Sequence, residues 1–249
     1  MPRGPRIEIA GETSHVVARG VDKRPIFRDS ADRRSFLTML GTVVLDQRWQ
    51  CLTYCLMGNH YHLVIQLREP NLSAGMQRLN GKYVHAFNER HGRTGHLFQS
   101  RFWSKPVRSE AHMVGLARYV AVNPVRAGLC ATAEQWPWSA HRALLGRAPD
   151  DFIAVATMLE HFDEDVERAR LQYRHAISDD QRPAVRGVDV KLAETLAFPD
   201  RTEAIAHADS HGFTIEEIAE VLACQPSTVR DRLAKGLIAA RSDPFPRGV

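Results

Sequence analysis

Two strand-forming segments separated by a two-residue turn constrain the fold most. Residues 49–57 and 60–67 are rich in apolar and β-branched side chains, and Gly58-Asn59 between them favours a tight β-hairpin turn. Side chains alternate across a strand, so His60 and His62 are predicted on one face and Tyr61 on the other. The sequence therefore predicts a strand pair that carries two imidazoles side by side.

The flanking segments predict a ferredoxin-like β-α-β-β-α-β order. Its elements are a strand in residues 7–21, a helix at 30–46, the strand pair, a helix at 72–90 and a strand at 98–107. Asp29 or Ser30 can cap the first helix, and Gly92 should end the second. Ser109 should cap a further helix that ends near Val122 because Pro124 stops it. The predicted class is α+β, an antiparallel sheet with helices.

The basic charge of the chain is concentrated in residues 1–148. They carry 21 bases and 10 acids, whereas the rest carries 12 bases and 19 acids. An excess of this size attracts polyanions, although a basic surface can also serve solubility alone. Bases and aromatic side chains interleave in residues 98–108, as in surfaces that bind single-stranded nucleic acid. Candidate contacts in this segment are Phe98, Gln99, Arg101, Phe102, Trp103, Lys105 and Arg108, and Arg19 and Arg93 join them.

His60 and His62 are candidate ligands for a divalent metal ion. Two neutral imidazoles on one strand face can bind one ion and leave positions open for a third ligand and for substrate. The alternative is a pair of partly exposed surface histidines. A second alternative is a closed zinc site that adds Cys51 and Cys55, although free cysteines are commonly buried as small apolar residues.

Tyr83 and Tyr119 are the candidate nucleophiles. Tyr83 shares the apolar stripe of its predicted helix, which favours a place in the core. Tyr119 precedes Asn123 by four residues, so a phenol and an amide oxygen should lie near the same helix face. A structural tyrosine remains the alternative at position 119.

The C-terminal part predicts a small all-α domain of the helix-turn-helix type. Thr214 and Glu217 form a capping-box pattern, and a second helix should begin at Pro226 and end at Gly236. Its candidate DNA contacts are Gln225, Ser227, Thr228 and Arg230. A packing or oligomerisation unit is the alternative. The predicted domains are residues 1–148, an acidic helical linker at 149–187, and residues 188–249.

Several segments, taken in order, resemble the REP-associated tyrosine transposases, a branch of the single-tyrosine HUH transposases. They are residues 5–7, 15–20, 25–29, 54–63, 92–102, 119–125 and 136–139. The resemblance implies the HUH endonuclease fold, with His60 and His62 binding the metal, Tyr119 as nucleophile and Asn123 as third ligand. Gly58 departs from the proline of many relatives, in a turn that should leave the metal site intact.

The resemblance implies an enzyme that cuts and rejoins single-stranded DNA through a 5′-phosphotyrosine link. The expected partners are a Mg or Mn ion, hairpin-forming DNA repeats, and duplex DNA at the C-terminal domain. The alternative function is a DNA-binding regulator whose ancestral nuclease site is inactive. We expect a cytoplasmic protein that does not bind membranes, since no segment has the length and hydropathy of a membrane helix or a signal peptide. Monomer and homodimer both stay open.

Overall fold

The computed structural model describes residues 8–149, 152–178, 215, 227–231 and 233–234. The chain divides into two compact units, Met1–Val125 with Cys130–Arg182, and Arg126–Leu129 with Pro183–Val249. The strands are β1 (Thr13–Arg19), β2 (Gln50–Leu56), β3 (His60–Gln66) and β4 (Trp103–Pro106). The helices are α1 (Ser30–Asp46), α2 (Leu72–His91), α3 (Glu110–Arg126), α4 (His141–Leu144), α5 (Val155–Leu159) and α6 (Val166–Ser178).

The four strands form one antiparallel sheet in the order β2-β3-β1-β4. In the register of β1 and β3, Val17 pairs with His62 and Arg19 pairs with His60. Directly paired residues of antiparallel strands project from the same face. Both imidazoles therefore share a sheet face with alternate side chains of β1. The predicted mixed fold, an antiparallel sheet with helices, is confirmed.

Helices α1 and α2 cover the opposite face of the sheet. Tyr61 lies on that face, where its ring packs 4.7 Å from that of Phe36 in α1 and its hydroxyl donates to Asn80 Oδ1 in α2 at 2.6 Å. Asp29 caps α1 by accepting a hydrogen bond from the Asp32 amide. Gly92 ends α2 at a φ of 58°, a left-handed conformation that suits glycine. Both predicted helix ends are confirmed.

The fourth strand is shorter than residues 98–107. Only Trp103–Pro106 pair with β1, and Phe98 keeps an isolated bridge to Gly20. Gln99, Ser100 and Arg101 are polar and exposed, so this stretch contributes only Phe102 to the core and has no alternating apolar face. The chain bends there instead, where the Arg101 carbonyl accepts a hydrogen bond from Asn80 Nδ2.

The prediction that Pro124 stops the third helix is wrong. Helix α3 begins after Ser109, whose hydroxyl accepts from the His112 amide, and it continues through Pro124 to Arg126. Proline removes one backbone donor and crowds the carbonyl four residues earlier, which here is that of Val120. Only two residues of α3, Val125 and Arg126, follow Pro124. The helix therefore ends soon after Pro124, not before it.

The acidic segment is helical, but residues 152–178 are not a linker. Ile153 bridges to Cys51 of β2, and the Ala154 amide donates to the Cys51 carbonyl. In α6, Ala169, Tyr173 and Ile177 are buried at a spacing of four residues while charged side chains face outward. A buried stripe at helical spacing outweighs the acidic composition, so this segment completes the first unit.

None of the helices in the described part of the chain is long and apolar enough to cross a membrane.

Candidate active site

The two histidines of β3 are buried and adjacent. His60 and His62 are 7% and 2% exposed, and their ring centroids lie 5.0 Å apart. Their backbone is fixed by pairing with both β1 and β2, and His60 Nδ1 lies 2.7 Å from Asn59 Oδ1 in the turn. The interpretation as partly exposed surface histidines is therefore wrong.

Helix α3 brings a tyrosine and an amide to these imidazoles. The ring of Tyr119 meets that of His62 edge to face, with centroids 5.4 Å apart, and it is partly exposed. One turn later, the side chain of Asn123 lies at His60, whose pKa it acts to raise. Residues that are about 60 positions apart in the sequence thus meet at one point on the sheet.

Tyr83, the other candidate nucleophile, lies in the core. It is 1% exposed, and its hydroxyl donates to the Ile26 carbonyl at 2.5 Å. Burial strongly raises the pKa of this phenol, with the charge of Asp32 adding to the effect. Its place among the rings of Phe27, Phe36 and Phe87 is that of a structural residue.

A third imidazole, that of His15, belongs to the same cluster. His15 lies on β1 and its Nε2 is 2.9 Å from His62 Nδ1. The alternation of His15, Val17 and Arg19 on one face of β1 was the available signal. Alternation alone does not place His15 at the site, because the position of β1 beside β3 cannot be derived from periodicity.

Burial keeps these imidazoles neutral. Desolvation, aided by the charge of Arg19, lowers the pKa of His60 to about 3 against the weaker effect of Asn123. Desolvation also lowers the pKa of His62, with His60, His15 and Arg19 contributing. For His15, burial followed by the charges of His112 and Lys105 lowers the pKa to about 3. Neutral rings retain the lone pairs that a metal ligand needs.

The donor set fits a divalent metal ion. The Nε2 atoms of His60 and His62 are both buried and have no hydrogen-bond partner among the described residues. A buried polar atom without a partner is costly, and ion coordination is one of the arrangements that would satisfy it. Two imidazoles and the Asn123 amide would form an open site with room for substrate oxygens.

The structure offers no support for a closed zinc site. Within the described ranges, no group of three or more His, Cys, Asp or Glu side chains could hold a metal ion. Cys55 is fully buried, its thiol contacts Met57 Sδ at 3.7 Å, and burial raises its pKa. Cys51 is likewise buried, with its thiol 3.9 Å from the Thr53 carbonyl.

The predicted nucleic-acid contacts differ in exposure. The exposed ones are Gln99, Arg101, Lys105 and Arg108, and the partly exposed ones are Arg19, Arg93, Phe98 and Trp103. Trp103 meets the His15 ring edge to face at 5.5 Å, beside the imidazole cluster. Phe102 is only 7% exposed, so the prediction that it stacks on bases is wrong. Its neighbours Arg101 and Trp103 are exposed and partly exposed, whereas its own ring belongs to the core.

Most of the predicted helix-turn-helix lies outside the described residues, including Gln225. Residues 227–231 are helical, with Val229 buried and Ser227 and Arg230 exposed. Thr228 is partly exposed. These orientations leave the polar side chains of this short stretch accessible.

Comparisons with known proteins, by sequence and by fold, find the same group of transposases. Residues 10–123 match the family model described as "Transposase IS200 like". A curated REP-associated tyrosine transposase of Haemophilus influenzae is 26% identical over 106 residues, which cover 38% of this chain and 60% of that protein. The chain thus spans about three fifths of that relative's length.

A solved structure of a REP-associated tyrosine transposase bound to a REP hairpin has a similar fold. The TM-score is 0.51 at 20% sequence identity, and the match covers 60% of this chain and 93% of the other. At this identity the likeness concerns the fold alone. Residues 10–123 are thus similar to the IS200-like transposase family, and the proteins similar to this chain in sequence and in fold are REP-associated tyrosine transposases.

Proposed function

We propose that this protein is a metal-dependent endonuclease and strand transferase that acts on single-stranded DNA through a phosphotyrosine intermediate at Tyr119. One observation carries the proposal: the partly exposed ring of Tyr119 lies 5.4 Å from the His62 ring, and the buried Nε2 atoms of His60 and His62 have no hydrogen-bond partner in the described part of the chain. Reactions of this class need a nucleophile and a positive centre at one phosphate.

His60, His62 and Asn123 would hold a Mg or Mn ion. An ion held by these three side chains would supply Lewis-acid polarisation of a non-bridging phosphate oxygen and a fixed position for the scissile phosphate. Arg19 pairs with His60 across the strands and is close enough for its charge to lower the pKa of both imidazoles. A guanidinium at this position would also neutralise phosphate charge.

Tyr119 would attack the phosphorus atom with its phenolic oxygen. The new bond joins that oxygen to phosphorus, and the bond from phosphorus to the 3′ oxygen of the preceding nucleotide breaks. The phenol gives up its proton to a base or to water, and the leaving 3′ oxygen takes one up. A 5′-phosphotyrosine and a free 3′-hydroxyl result, and the reverse attack rejoins strands without ATP because the phosphodiester bond energy is conserved.

The substrate would be single-stranded DNA beside a hairpin-forming repeat. Arg101, Lys105 and Arg108 are exposed on or next to β4, where they can follow a phosphate backbone. Trp103 lies between this basic edge and the imidazoles and offers a ring for base stacking. The related transposase of similar fold is bound to a REP hairpin, which supports the same type of partner here.

The test is a covalent-adduct assay with hairpin oligonucleotides interrupted 5′ to the cleavage site, so that the short fragment that carries the free 3′-hydroxyl dissociates and the adduct is trapped. With Mn²⁺, the wild-type protein should form a protein–DNA adduct that resists denaturation. Tyr119→Phe should form none, because the ring remains while the attacking oxygen is lost. Tyr83→Phe is the matched control, and it should retain the adduct even if it is less stable. An adduct that persists in Tyr119→Phe and disappears in Tyr83→Phe would refute the assignment.

A duplex-DNA-binding regulator is the second candidate function. The observation in its favour is the short helical stretch at residues 227–231, with Ser227 and Arg230 exposed and Val229 buried. Side chains at the start of such a helix commonly contact base edges or phosphates. Specific duplex binding that is lost in Arg230→Ala, together with no adduct from any hairpin substrate, would favour this function over the first.

A further inference from the structure

His15 is the immediate neighbour of a proposed metal ligand. It pairs with Val64 in the register of β1 and β3, so His62 is its diagonal neighbour on the same face. The two rings stack with centroids 5.2 Å apart and an interplanar angle of 19°. His15 Nε2 lies 2.9 Å from His62 Nδ1, which is hydrogen-bond distance.

A hydrogen bond between two neutral imidazoles holds a single proton, so one ring nitrogen donates and the other accepts. If His15 donated, His62 would carry its own proton on Nε2, a buried atom with no hydrogen-bond partner among the described residues. A buried donor left unsatisfied costs about 1–3 kcal/mol. If His62 donates from Nδ1, its Nε2 instead keeps a lone pair with which it can bind a metal ion.

We infer that His15 is a positioning residue, which accepts the proton of His62 Nδ1 and thereby holds His62 Nε2 ready as the metal-binding atom. The inference rests on the proposed function, because it assigns the ion to His60 and His62. His15 itself is no ligand through Nε2, since that atom is engaged with His62. Its role is to select one tautomer and one ring orientation of the ligand.

Two further rings fix the orientation of His15. Trp103 and Tyr119 each meet it nearly at right angles, with centroids 5.5 Å and 6.1 Å away. A phenylalanine at position 15 would keep these contacts and the stack on His62 while removing the acceptor. A glutamine would offer an amide oxygen at about the reach of Nε2. The two variants therefore separate packing from hydrogen bonding.

The test measures Mn²⁺ affinity of the full chain by calorimetry and by electron paramagnetic resonance, after removal of metal with a chelator. His15→Phe should weaken Mn²⁺ binding about 10- to 100-fold, the usual effect of removing such an outer partner. His15→Gln should recover most of the affinity. His141→Phe removes a buried imidazole distant from the site in sequence and hydrogen-bonded to Tyr173, so it should leave the affinity unchanged.

The outcomes separate this inference from the proposed metal site. If His62→Ala loses Mn²⁺ binding while His15→Phe keeps the wild-type affinity, the role of His15 is refuted and the metal site stands. If His62→Ala binds Mn²⁺ as the wild type does, the metal site is wrong and the role of His15 falls with it. Thermal unfolding without metal identifies any variant that has lost its fold.

A second measurement needs no variant. Nitrogen-15 NMR of the imidazoles in the metal-free wild-type protein distinguishes protonated from bare ring nitrogens. His62 should carry its proton on Nδ1 and have a bare Nε2, with His15 Nε2 bare as the acceptor. A proton on His62 Nε2 would overturn the inference.

Discussion

At the scale of single residues, Asp32 places a carboxyl group in the protein interior. This carboxylate is 2% exposed, accepts from the Arg28 amide, and contacts Arg90 and His91 at the end of α2. Arg90 also reaches Asp29, which is about half exposed. The cluster joins the start of α1 to the end of α2.

Asp32→Asn should therefore destabilise the protein far more than Asp29→Asn. Breaking a buried ion pair costs about 3–5 kcal/mol, and the partial exposure of Arg90 places the expected loss at the lower end. The exposed pair of Asp29 and Arg90 contributes little, because solvent screens the attraction between the two charges. Urea unfolding of both variants checks this. Equal losses would show that Asp32 does not hold the cluster together.

Residue-scale prediction from sequence succeeded where one local rule applied. Alternation places His60 and His62 together, and a separation of four on one helix places Tyr119 near Asn123. The contact between His15 and His62 could not be predicted, because it depends on the order of the strands in the sheet and no local sequence pattern determines that order. The prediction that Phe102 contacts DNA failed because an aromatic residue flanked by basic residues can either stack on nucleic-acid bases or pack in the core, and the sequence does not distinguish the two.

At the scale of elements, two glycines lie at helix and strand ends in different conformations. Gly92 has a φ of 58°, whereas Gly58 has no positive φ, and a Cβ added there meets nothing within 4 Å. Glycine is required only in the first case. Both positions leave the proposed ligands and nucleophile untouched.

Gly92→Ala should lower the free energy of unfolding by about 1–2 kcal/mol because alanine is strained in the left-handed region. Gly58→Ala should instead raise it by about 0.4–1 kcal/mol, since it restricts the unfolded chain at no cost to the folded one. The comparison uses thermal unfolding of the two variants. A change of the same sign in the stability of both variants would contradict the conclusion that only Gly92 requires glycine.

Element ends were predictable where a capping residue or glycine marks them, as at Asp29, Ser109 and Gly92. The end of α3 was not, because the effect of Pro124 depends on how much helix remains after it. The place of α6 in the first unit was not predictable either, because its stripe of three buried side chains outweighs the acidic composition of the segment. In both cases tertiary packing decides between two local signals.

At the scale of the whole molecule, buried neutral histidines make stability depend on pH. Burial lowers the pKa of His141 to about 4, and its Nδ1 shares a hydrogen bond with the Tyr173 hydroxyl. The unfolded chain takes up a proton near the ordinary pKa of about 6.5, so below that pH protonation favours unfolding.

The free energy of unfolding of the metal-free protein should thus be constant above about pH 7 and fall as the pH drops from about 6.5 toward 4. His141→Gln should show a shallower fall over this range, because one of the buried imidazoles is gone. Urea titrations between pH 8 and pH 5 measure both. If the free energy of unfolding falls equally with pH in the wild type and in His141→Gln, then His141 does not contribute to the pH dependence of stability.

The basic surface gives a second property of the whole molecule, the salt dependence of DNA binding. Each phosphate contact on a single strand contributes about 0.7 to the slope of log affinity against log salt concentration. Lys105→Ala removes one exposed charge on β4 and should reduce the slope by about that amount. Lys82→Ala, which changes an exposed lysine of α2, is the control and should leave the slope unchanged.

The separation in sequence between the two imidazoles of β3 and the phenol of α3 has a consequence during synthesis. A ribosome that has released only the first hundred residues has completed the strand pair, while the tyrosine is still to be made. On the proposed function, such a nascent chain has two of the metal ligands but lacks Asn123, the basic edge at β4 and the nucleophile Tyr119, so it could not break a strand. Cutting ability would arrive only with a nearly finished domain, which protects the genome from incomplete translation products.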